Sequence, residues 1–390
     1  MNKLFTIVIL SVLAAMLAAC GQAATPAPQA TAGKPAAAAT TASAAAVLDQ
    51  KWNATLAEAK KEGKVTLYGI WTPAIRDALT KGFKDKYGIE LEFSPFTRGT
   101  DMLAKVDAER RAGMYLADGF CAGNPTLVVT MKPTGFLAPI KPMLMLPEVL
   151  SAQAWQGGNV PFGDKDGIAV SLIAVVQKNI AYSTDLVKEG EIKTVKDLLK
   201  PQYKGKITLN DPSVTGTGNS LTAHLGHILW NDAQTQDFLM KLLKDQQAII
   251  ERDQRVQVES VARGKYAVAV APQQTNLAEF LNLGAALKAA PVEEDSIITA
   301  AAGAFAVADK AAHPNATAVF VNWLLSKEGM SIFSKAFGNP SSRVDVTTEG
   351  INPIFIPVPG TKYYMETEDV LVARGQWLDM AKKVMDAAAK

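Results

Sequence analysis

The chain has 390 residues, enough for two domains or three small ones, and this length excludes a single small module. Its 40 Lys and Arg residues nearly balance its 38 Asp and Glu residues, which argues against a basic nucleic-acid-binding surface and against a disordered acidic chain. Two Cys and three His residues are too few for a disulfide framework and leave little material for a zinc site.

The first 20 residues are predicted to be a lipoprotein signal peptide. Lys3 precedes an apolar run over residues 4–19, which is shorter than the ~20 residues that span a bilayer as a helix. The run ends in a sequence that resembles a bacterial lipobox, Leu17-Ala18-Ala19-Cys20-Gly21. An ordinary secretory signal is the alternative. We expect lipidation of Cys20, so that the exported protein is anchored to the cell membrane and faces the periplasm or the cell exterior.

Residues 21–50 form a predicted disordered linker. Up to residue 46 they are almost entirely Ala, Thr, Pro, Gly, Gln and Ser, and Lys34 is the only charged residue among them. Such a composition buries too little surface to offset the entropy that is lost on ordering. The segment therefore predicts a leash between the membrane anchor and a folded body that begins near residue 51.

From residue 51 onward, short β-rich runs alternate with longer amphipathic stretches, a pattern typical of α/β domains. Strands are predicted at residues 65–71, 89–96, 168–176, 206–210, 248–250, 266–271 and 302–308. Helices are predicted at residues 73–87, 101–112, 219–230, 233–243, 256–263, 315–325, 327–337 and 369–385. The sequence therefore predicts sheets flanked by helices.

Several predicted strands run into polar turns that come before a helix. These turns lie at residues 68–73, 94–100, 119–126, 211–220 and 272–276. Ligands of open α/β sheets bind beyond the carboxyl ends of strands, where helix N-termini and free backbone N–H groups point. The turns together predict one shared ligand crevice, although simple helix capping is the alternative for each of them taken singly.

A series of segments resembles bacterial ABC-transporter substrate-binding proteins of the ferric-ion-binding type. The matching segments, in order, are residues 59–69, Arg98-Gly99-Thr100, residues 109–113 and 117–119, Gly135-Phe136-Leu137-Ala138-Pro139, and residues 195–201, 203–207 and 211–218. The resemblance implies a two-lobed periplasmic-binding-protein fold of type II, in which each lobe is a mixed β-sheet flanked by helices and the ligand binds in the cleft between the lobes. It also implies hinge closure and delivery of the solute to an ABC permease in the membrane.

In such families the chain crosses between the lobes more than once, so each lobe is discontinuous in sequence. We place lobe one at residues 51–162 and 297–338, and lobe two at residues 163–296 and 339–390. We expect a monomer that binds a small-molecule solute, with no enzymatic activity, no cofactor and no nucleic-acid partner.

One departure from the ferric-ion-binding type concerns the metal. Those relatives carry adjacent tyrosines after the strand that corresponds to residues 266–271, whereas this chain has Pro272-Gln273-Gln274-Thr275-Asn276. Amides are poor substitutes for two phenolates, so we predict no metal site. Two other groups of metal-ligand type deserve weighing, namely the pair Tyr363-Tyr364 and the pair His224 and His227, which lacks a third ligand.

The predicted ligand is a small polar organic anion, either a carboxylate or a phosphate ester. The turn at residues 210–220 offers hydroxyls and backbone N–H groups before a helix, and Arg98 could supply a bidentate cation. The candidate ligand-binding residues are Tyr68, Trp71, Thr72, Arg98, Thr100, Asn124, Ser213, Thr215, Thr217, Gly218, Asn219, Gln273, Gln274 and Thr275. The alternatives are a receptor of the same fold for ferric or another metal ion, and a lipid-anchored surface hydrolase.

Overall fold

The computed structural model describes the backbone of residues 36–390 and the side chains of residues 46–390. The predicted signal peptide, Cys20 and residues 21–35 of the predicted linker lie outside the described residues. Helix α1 (Ala36–Glu62) begins inside the segment that we predicted to be disordered. Alanine has the highest intrinsic helix propensity, and no proline follows Pro35 in this stretch, so an alanine-rich segment next to a folded body continues its first helix.

Strands and helices alternate along the chain, as the sequence predicted. The strands are β1 (Lys64–Gly69), β2 (Glu90–Pro95), β3 (Gly119–Ala122), β4 (Leu137–Ala138), β5 (Ala169–Ser171), β6 (Val175–Val176), β7 (Ile180–Ser183), β8 (Ile207–Asn210), β9 (Ile249–Glu251), β10 (Val268–Val270), β11 (Leu287–Ala289), β12 (Ile297–Thr299), β13 (Ala304–Ala308) and β14 (Tyr364–Met365). The helices after α1 are α2 (Pro73–Tyr87), α3 (Gly99–Arg111), α4 (Pro147–Leu150), α5 (Thr217–His224), α6 (Asp232–Met240), α7 (Gln254–Ala262), α8 (Gln274–Asn282), α9 (Pro314–Leu325), α10 (Lys327–Phe337) and α11 (Glu368–Ala388). None of these described helices combines the length and the apolarity that crossing a membrane requires.

The first lobe is built on a sheet with the strand order β2-β1-β3-β13-β4, and β5 also pairs with β13. β1 runs parallel to β2 and β3, whereas β13 is antiparallel to its partners. Its core is aromatic: the ring of Phe83 lies 5.3 Å from the rings of both Phe320 and Trp323. These contacts hold α2 and α9 together over the sheet.

The second lobe is built on a sheet with the strand order β11-β7-β10-β8-β9. β8 is parallel to β9 and β10, and β7 is antiparallel to β10 and β11. α7 packs on β8 and β10, and α5 packs on β8. Since β8 and β10 are parallel neighbours, the turns that follow them emerge at the same edge of the sheet, where α5 and α8 begin.

A small third sheet, with the order β14-β12-β6, lies where the chain passes between the two larger sheets. β6 comes between β5 of the first sheet and β7 of the second, and β12 comes between β11 of the second sheet and β13 of the first. Ile298 pairs with Val176 on one side and with Met365 on the other. This sheet is therefore the connection between the lobes, and we call it the hinge sheet.

Two of our predicted lobe boundaries do not coincide with the positions where the chain passes from one sheet to another. β5 pairs with β13 in the first sheet, although it lies beyond the predicted crossing between residues 162 and 163. Beyond residue 338, Arg343 still contacts the first lobe, because its Nη1 donates to the Leu325 carbonyl at 3.0 Å. α11, by contrast, packs on α5 and α6 of the second lobe. The predicted crossing between residues 296 and 297 lies at the start of β12.

Candidate functional site

A cavity of about 230 Å³ lies beside the hinge sheet and has walls from both lobes. Most of its exposed surface is apolar, and among its polar side chains the neutral ones outnumber the charged ones. The lining residues are Pro125, Val175, Gln177, Gly216, Thr217, Ser220, Gln254, Gln273, Gln274, Thr275, Thr299, Ala301, Ala302, Asn339, Glu366 and Arg374. Because Pro125 belongs to the first lobe and Thr217 and Gln273 belong to the second, a ligand here would contact both.

The first turns of two helices line this cavity. α5 begins at Thr217 after Gly216, and α8 begins at Gln274 after its N-cap residue Gln273. The side-chain oxygen of Gln273 accepts a hydrogen bond from the N–H of Asn276 at 3.0 Å. The first-turn N–H groups of a helix have no acceptor within that helix and carry partial positive charge. Two such termini give the cavity a positive potential without a free cation.

The charged side chains of the cavity wall, Glu366 and Arg374, pair with each other. Nη1 of Arg374 lies 3.0 Å from Oε1 of Glu366, and the two side chains are only 12% and 4% exposed, respectively. The guanidinium also donates from Nη2 to the Gly216 carbonyl at 3.1 Å and from Nε to the side chain of Asn219 at 3.2 Å. The hydroxyl of Thr299 donates to the other Glu366 oxygen at 3.0 Å. The pair thus connects α11 to α5 and to the hinge sheet, and two of the five guanidinium N–H groups remain for a ligand.

Neutral side chains of the wall are held in place by the fold. Ser220 donates to the Gln177 side chain at 3.0 Å. The amide of Gln274 is bonded to the backbone of Lys178, accepting from its N–H at 3.0 Å and donating to its carbonyl at 3.1 Å. The Thr217 hydroxyl lies 3.1 Å from the Asn210 side-chain oxygen. The polar wall is therefore positioned before any ligand arrives, which lowers the entropy cost of binding.

The sequence model of the bacterial extracellular solute-binding protein family matches residues 78–352. The chain belongs to this family. Solute-binding proteins of this kind serve ABC importers and are binding proteins rather than enzymes, so the predicted class of function is confirmed and the surface hydrolase is not supported. Family membership also implies export. No curated protein sequence matches the chain significantly.

Solved structures similar to this solute-binding protein share its two-lobed fold. Iron-bound HitA from Pseudomonas aeruginosa is 19% identical, with 82% of this chain and 99% of that chain covered and a TM-score of 0.63. Ferric iron-binding protein A of Mannheimia haemolytica, in an open conformation, is 16% identical, with 83% and 98% covered and a TM-score of 0.67. AfuA from Actinobacillus pleuropneumoniae, with exogenous fructose-6-phosphate bound, is 20% identical, with 83% and 97% covered and a TM-score of 0.58. The predicted fold is confirmed.

Four of the predicted site residues of this solute-binding protein meet at the cavity. They are Thr217, Gln273, Gln274 and Thr275, and all of them lie at the N-terminal ends of α5 and α8. Trp71 and Thr72 lie next to this cavity, in the wall of a neighbouring one that also includes Thr275. Of the five predicted turns, those at residues 211–220 and 272–276 and Pro125 of the turn at residues 119–126 line this cavity, and the turn at residues 68–73 lines the neighbouring one.

Other predicted residues of the first lobe lie away from the cavity wall. Tyr68 is buried in the core, where its hydroxyl donates to Glu109 at 2.8 Å, and burial together with that carboxylate raises its pKa. Arg98 is exposed at the start of α3, and Thr100 lines a separate surface pocket on the same helix. Asn124 is buried and donates to the Ser171 hydroxyl at 2.9 Å. The strand-to-helix pattern located their turns but not the direction of their side chains.

The remaining predicted residues, all near α5, serve the fold of the turn. The Ser213 hydroxyl donates to Asp211 at 2.6 Å, and Thr215 is exposed. The N–H of Gly218 donates to the Asn210 side chain at 3.1 Å, and a Cβ at this position would lie 2.1 Å from the Asn210 carbonyl oxygen. Asn219 accepts from Arg374 and therefore supports the cavity wall from behind. The Ser213 hydroxyl, the Gly218 N–H and the Asn219 side chain are therefore already bonded to protein atoms.

The groups of metal-ligand type do not converge. The Tyr363 hydroxyl accepts from the N–H of Val358 at 3.0 Å. His224 is buried with Nε2 3.1 Å from the Ser296 hydroxyl, and burial lowers its pKa to about 4. His227 lies on the surface. Among the residues that the structure describes, no group of three or more His, Cys, Asp or Glu side chains is arranged to hold a metal ion.

Sequence reasoning missed the hinge-side half of the wall. Glu366 and Arg374 are eight positions apart, and Glu366 precedes α11, so the two do not form a recognisable helix-face pair. Gln177 and Thr299 follow or end short strands, and Asn339 lies between Gly338 and Pro340 after α10, so none of the three falls in one of the five predicted turns. These wall residues come together only through contacts between segments that are distant in sequence, when α11 docks against α5 and β14 pairs with β12.

Proposed function

We propose that this protein captures a small polar organic anion, a carboxylate or a phosphate ester, by closure of its two lobes and delivers it to the membrane permease of an ABC importer. The observation that carries the proposal is the cavity between the lobes, which is lined by the first turns of α5 and α8 and by Arg374. An anion at a partly buried helix N-terminus gains up to roughly 2 kcal/mol. The proposed ligand contacts are Thr217, Gln273, Thr275 and Arg374.

The charges of Glu366 and Arg374 in the wall cancel, which argues for an anion rather than a ferric ion as the ligand. The one carboxylate of the wall, Glu366, already accepts from Arg374 and Thr299. Among the described residues the wall contains no tyrosine, whereas amides and hydroxyls surround Glu366. A trivalent cation would meet two positive helix termini and a guanidinium, an arrangement that opposes it. The structure of AfuA with fructose-6-phosphate gives an example of this fold with a phosphate ester bound.

Titration calorimetry on the purified protein tests the proposal. The ligands are acetate, methyl phosphate and ferric citrate, and citrate alone serves as the reference for the last. We expect saturable binding of a carboxylate or phosphate ester and a smaller radius of gyration by X-ray scattering when it is bound, because closure brings the lobes together. Stoichiometric binding of iron with no response to either anion would favour the metal receptor instead.

A pair of threonine variants locates the site. Thr275 is exposed at the first turn of α8 and its hydroxyl donates to the Gln273 side chain, so Thr275→Ala removes a hydroxyl from the cavity wall without disturbing the core. Loss of one hydrogen bond should weaken binding by about 1 kcal/mol, or roughly fivefold. Thr348→Ala is the matched control, since Thr348 is also exposed but lies outside the cavity. Equal affinities for both variants would move the site elsewhere.

We also propose that the exported protein is a monomer, anchored through a lipid on Cys20. The support is the sequence Leu17-Ala18-Ala19-Cys20, followed by an alanine-rich segment. Mass spectrometry of the protein from bacterial membranes should find a diacylglycerol on Cys20 at the mature N-terminus. Cys20→Ala should release the protein from the membrane fraction, and an unmodified wild-type N-terminus would contradict the proposal.

A further inference from the structure

A second cavity, of about 270 Å³, adjoins the cavity between the lobes. The two share Thr275 and Ala302 in their walls, so they are neighbouring parts of one cleft. The second cavity is lined mainly by the turn between β1 and α2 and by the end of α10 in the first lobe. Its position places it within reach of a molecule that is bound at the first turn of α8.

The walls of this second cavity are apolar. Ile70, Trp71 and Ile75 form one side, and Ala336 and Phe337 form the other. In the part of the chain that the structure describes, no charged side chain lines this cavity, and its hydroxyl groups are those of Thr72 and Thr275. This chemistry contrasts with that of the first cavity, which has Gln, Thr, Ser and an Arg–Glu pair. Charged and amide side chains therefore line one end of the cleft, and apolar side chains with two threonines line the other.

The apolar end is held rigidly. The Trp71 indole N–H donates to the Ala302 carbonyl at 3.1 Å, and its ring lies 4.8 Å from the ring of Phe333. Phe333 in turn packs against Phe337, with their rings 5.5 Å apart. A fixed aromatic wall costs little conformational entropy when a ligand packs on it.

We infer that the solute carries an apolar group, an aryl ring or a short alkyl chain, next to its anionic group, and that this apolar group occupies the second cavity. The inference rests on the proposed function, because the anionic group must be held at the first turns of α5 and α8. An anion without such a group would leave the Trp71 side of the cleft filled with water. Burial of one methylene should tighten binding about fourfold.

Matched pairs of anions test the inference on the full protein. The pairs are acetate with phenylacetate and methyl phosphate with phenyl phosphate, each measured by titration calorimetry. In the pair whose anionic group binds, the phenyl member should bind at least tenfold more tightly, since a ring buries several methylene equivalents. If acetate or methyl phosphate binds and its phenyl partner binds no better, the inference is wrong while the proposed function stands. If none of the four binds, both fail.

Two substitutions change the size of the second cavity in opposite directions. Ala336→Phe fills it, so phenyl-bearing anions should lose at least tenfold in affinity while acetate and methyl phosphate keep theirs. Phe337→Ala enlarges it and should favour larger aryl anions such as naphthylacetate over phenylacetate. Ala57→Phe is the control, because Ala57 is exposed on α1 and lines neither cavity.

Each variant is compared with the wild type for its apo thermal midpoint, so that a folding defect is distinguished from loss of the apolar contact. If Ala336→Phe fails to fold, Phe337→Ala carries the test through its shift toward larger rings. Unchanged selectivity in a folded Ala336→Phe or Phe337→Ala variant would overturn the inference.

Discussion

We expect the substitution Arg374→Ala to lower the free energy of unfolding by roughly 3 to 5 kcal/mol, the range for breaking a buried ion pair from one side. The guanidinium makes hydrogen bonds of 3.0 to 3.2 Å to Glu366, Gly216 and Asn219. Its removal leaves the Glu366 carboxylate, which is 4% exposed, with the Thr299 hydroxyl as its remaining side-chain donor. The larger part of the loss therefore comes from a buried charge without its partner.

A double-mutant cycle separates this charge effect from the lost hydrogen bonds. Urea unfolding at pH 7 is followed by tryptophan fluorescence for Arg374→Ala, Glu366→Gln and the double variant. In the double variant no buried carboxylate remains, and the Gln oxygen can still accept from Thr299. We expect it to be at least about 1 kcal/mol more stable than Arg374→Ala alone.

Arg263→Ala is the control for the cycle. The side chain of Arg263 is 76% exposed and pairs with Glu259 one helical turn away. Such a surface pair contributes about 0.5 kcal/mol or less. If Arg374→Ala cost no more free energy of unfolding than this control, the ion pair would not be buried as described. If the double variant were no more stable than Arg374→Ala, the loss would not come from an unpaired carboxylate.

Two further predictions concern the second lobe. Burial lowers the pKa of His224 from 6.5 to about 4, so on acidification the unfolded chain takes up a proton before the folded protein does. The free energy of unfolding should therefore fall by about 2 to 3 kcal/mol between pH 6.5 and pH 4.5. His224→Gln should lack this part of the loss in urea unfolding at the two pH values, and identical pH profiles for variant and wild type would refute the prediction. A Cβ on Gly226 would lie 1.9 Å from the Trp377 ring, so Gly226→Ala should cost about 1 to 3 kcal/mol through overpacking. Gly375→Ala, where a Cβ meets nothing within 4 Å on α11, should instead stabilise the protein by about 0.5 to 1 kcal/mol, and thermal unfolding that ranked these two variants in the reverse order would contradict both assignments.

Elements with strong local signals could be predicted from the sequence. Helix α2 has the predicted bounds, Pro73–Tyr87, because proline suits its first turn and Gly88 ends it in the left-handed conformation at φ 71°. β2 lies within its predicted range and β1 begins one residue before its own, and the two strands are parallel neighbours in the first sheet. In each of these cases the determining interactions lie within the segment itself.

Elements whose ends depend on distant partners could not be predicted in this way. Residues 168–176 read as one strand, yet the structure divides them into β5, which pairs in the first sheet, and β6, which pairs in the hinge sheet. α8 begins at Gln274, inside a predicted turn, because the Gln273 side chain caps it and the Gln274 amide bonds to Lys178 far away in sequence. Periodicity shows that a segment is extended or helical, but it does not identify the strand or helix with which that segment pairs or packs.

The proposed ligand class follows from how the two halves of the cleft are put together. The half that local patterns revealed, the first turns of α5 and α8, has a positive potential and donors but no net charge of its own. The other half, which local sequence patterns did not reveal, contains Arg374 and Glu366, and the charges of these two side chains cancel. The helix termini therefore determine the sign of the electrostatic potential at the ligand. A ligand with spread negative charge is stabilised by many weak donors, whereas a bare cation would need carboxylates or phenolates that this wall does not offer. A Glu366→Gln variant that bound anions more tightly would support this reasoning, since it leaves the guanidinium charge uncompensated beside the ligand.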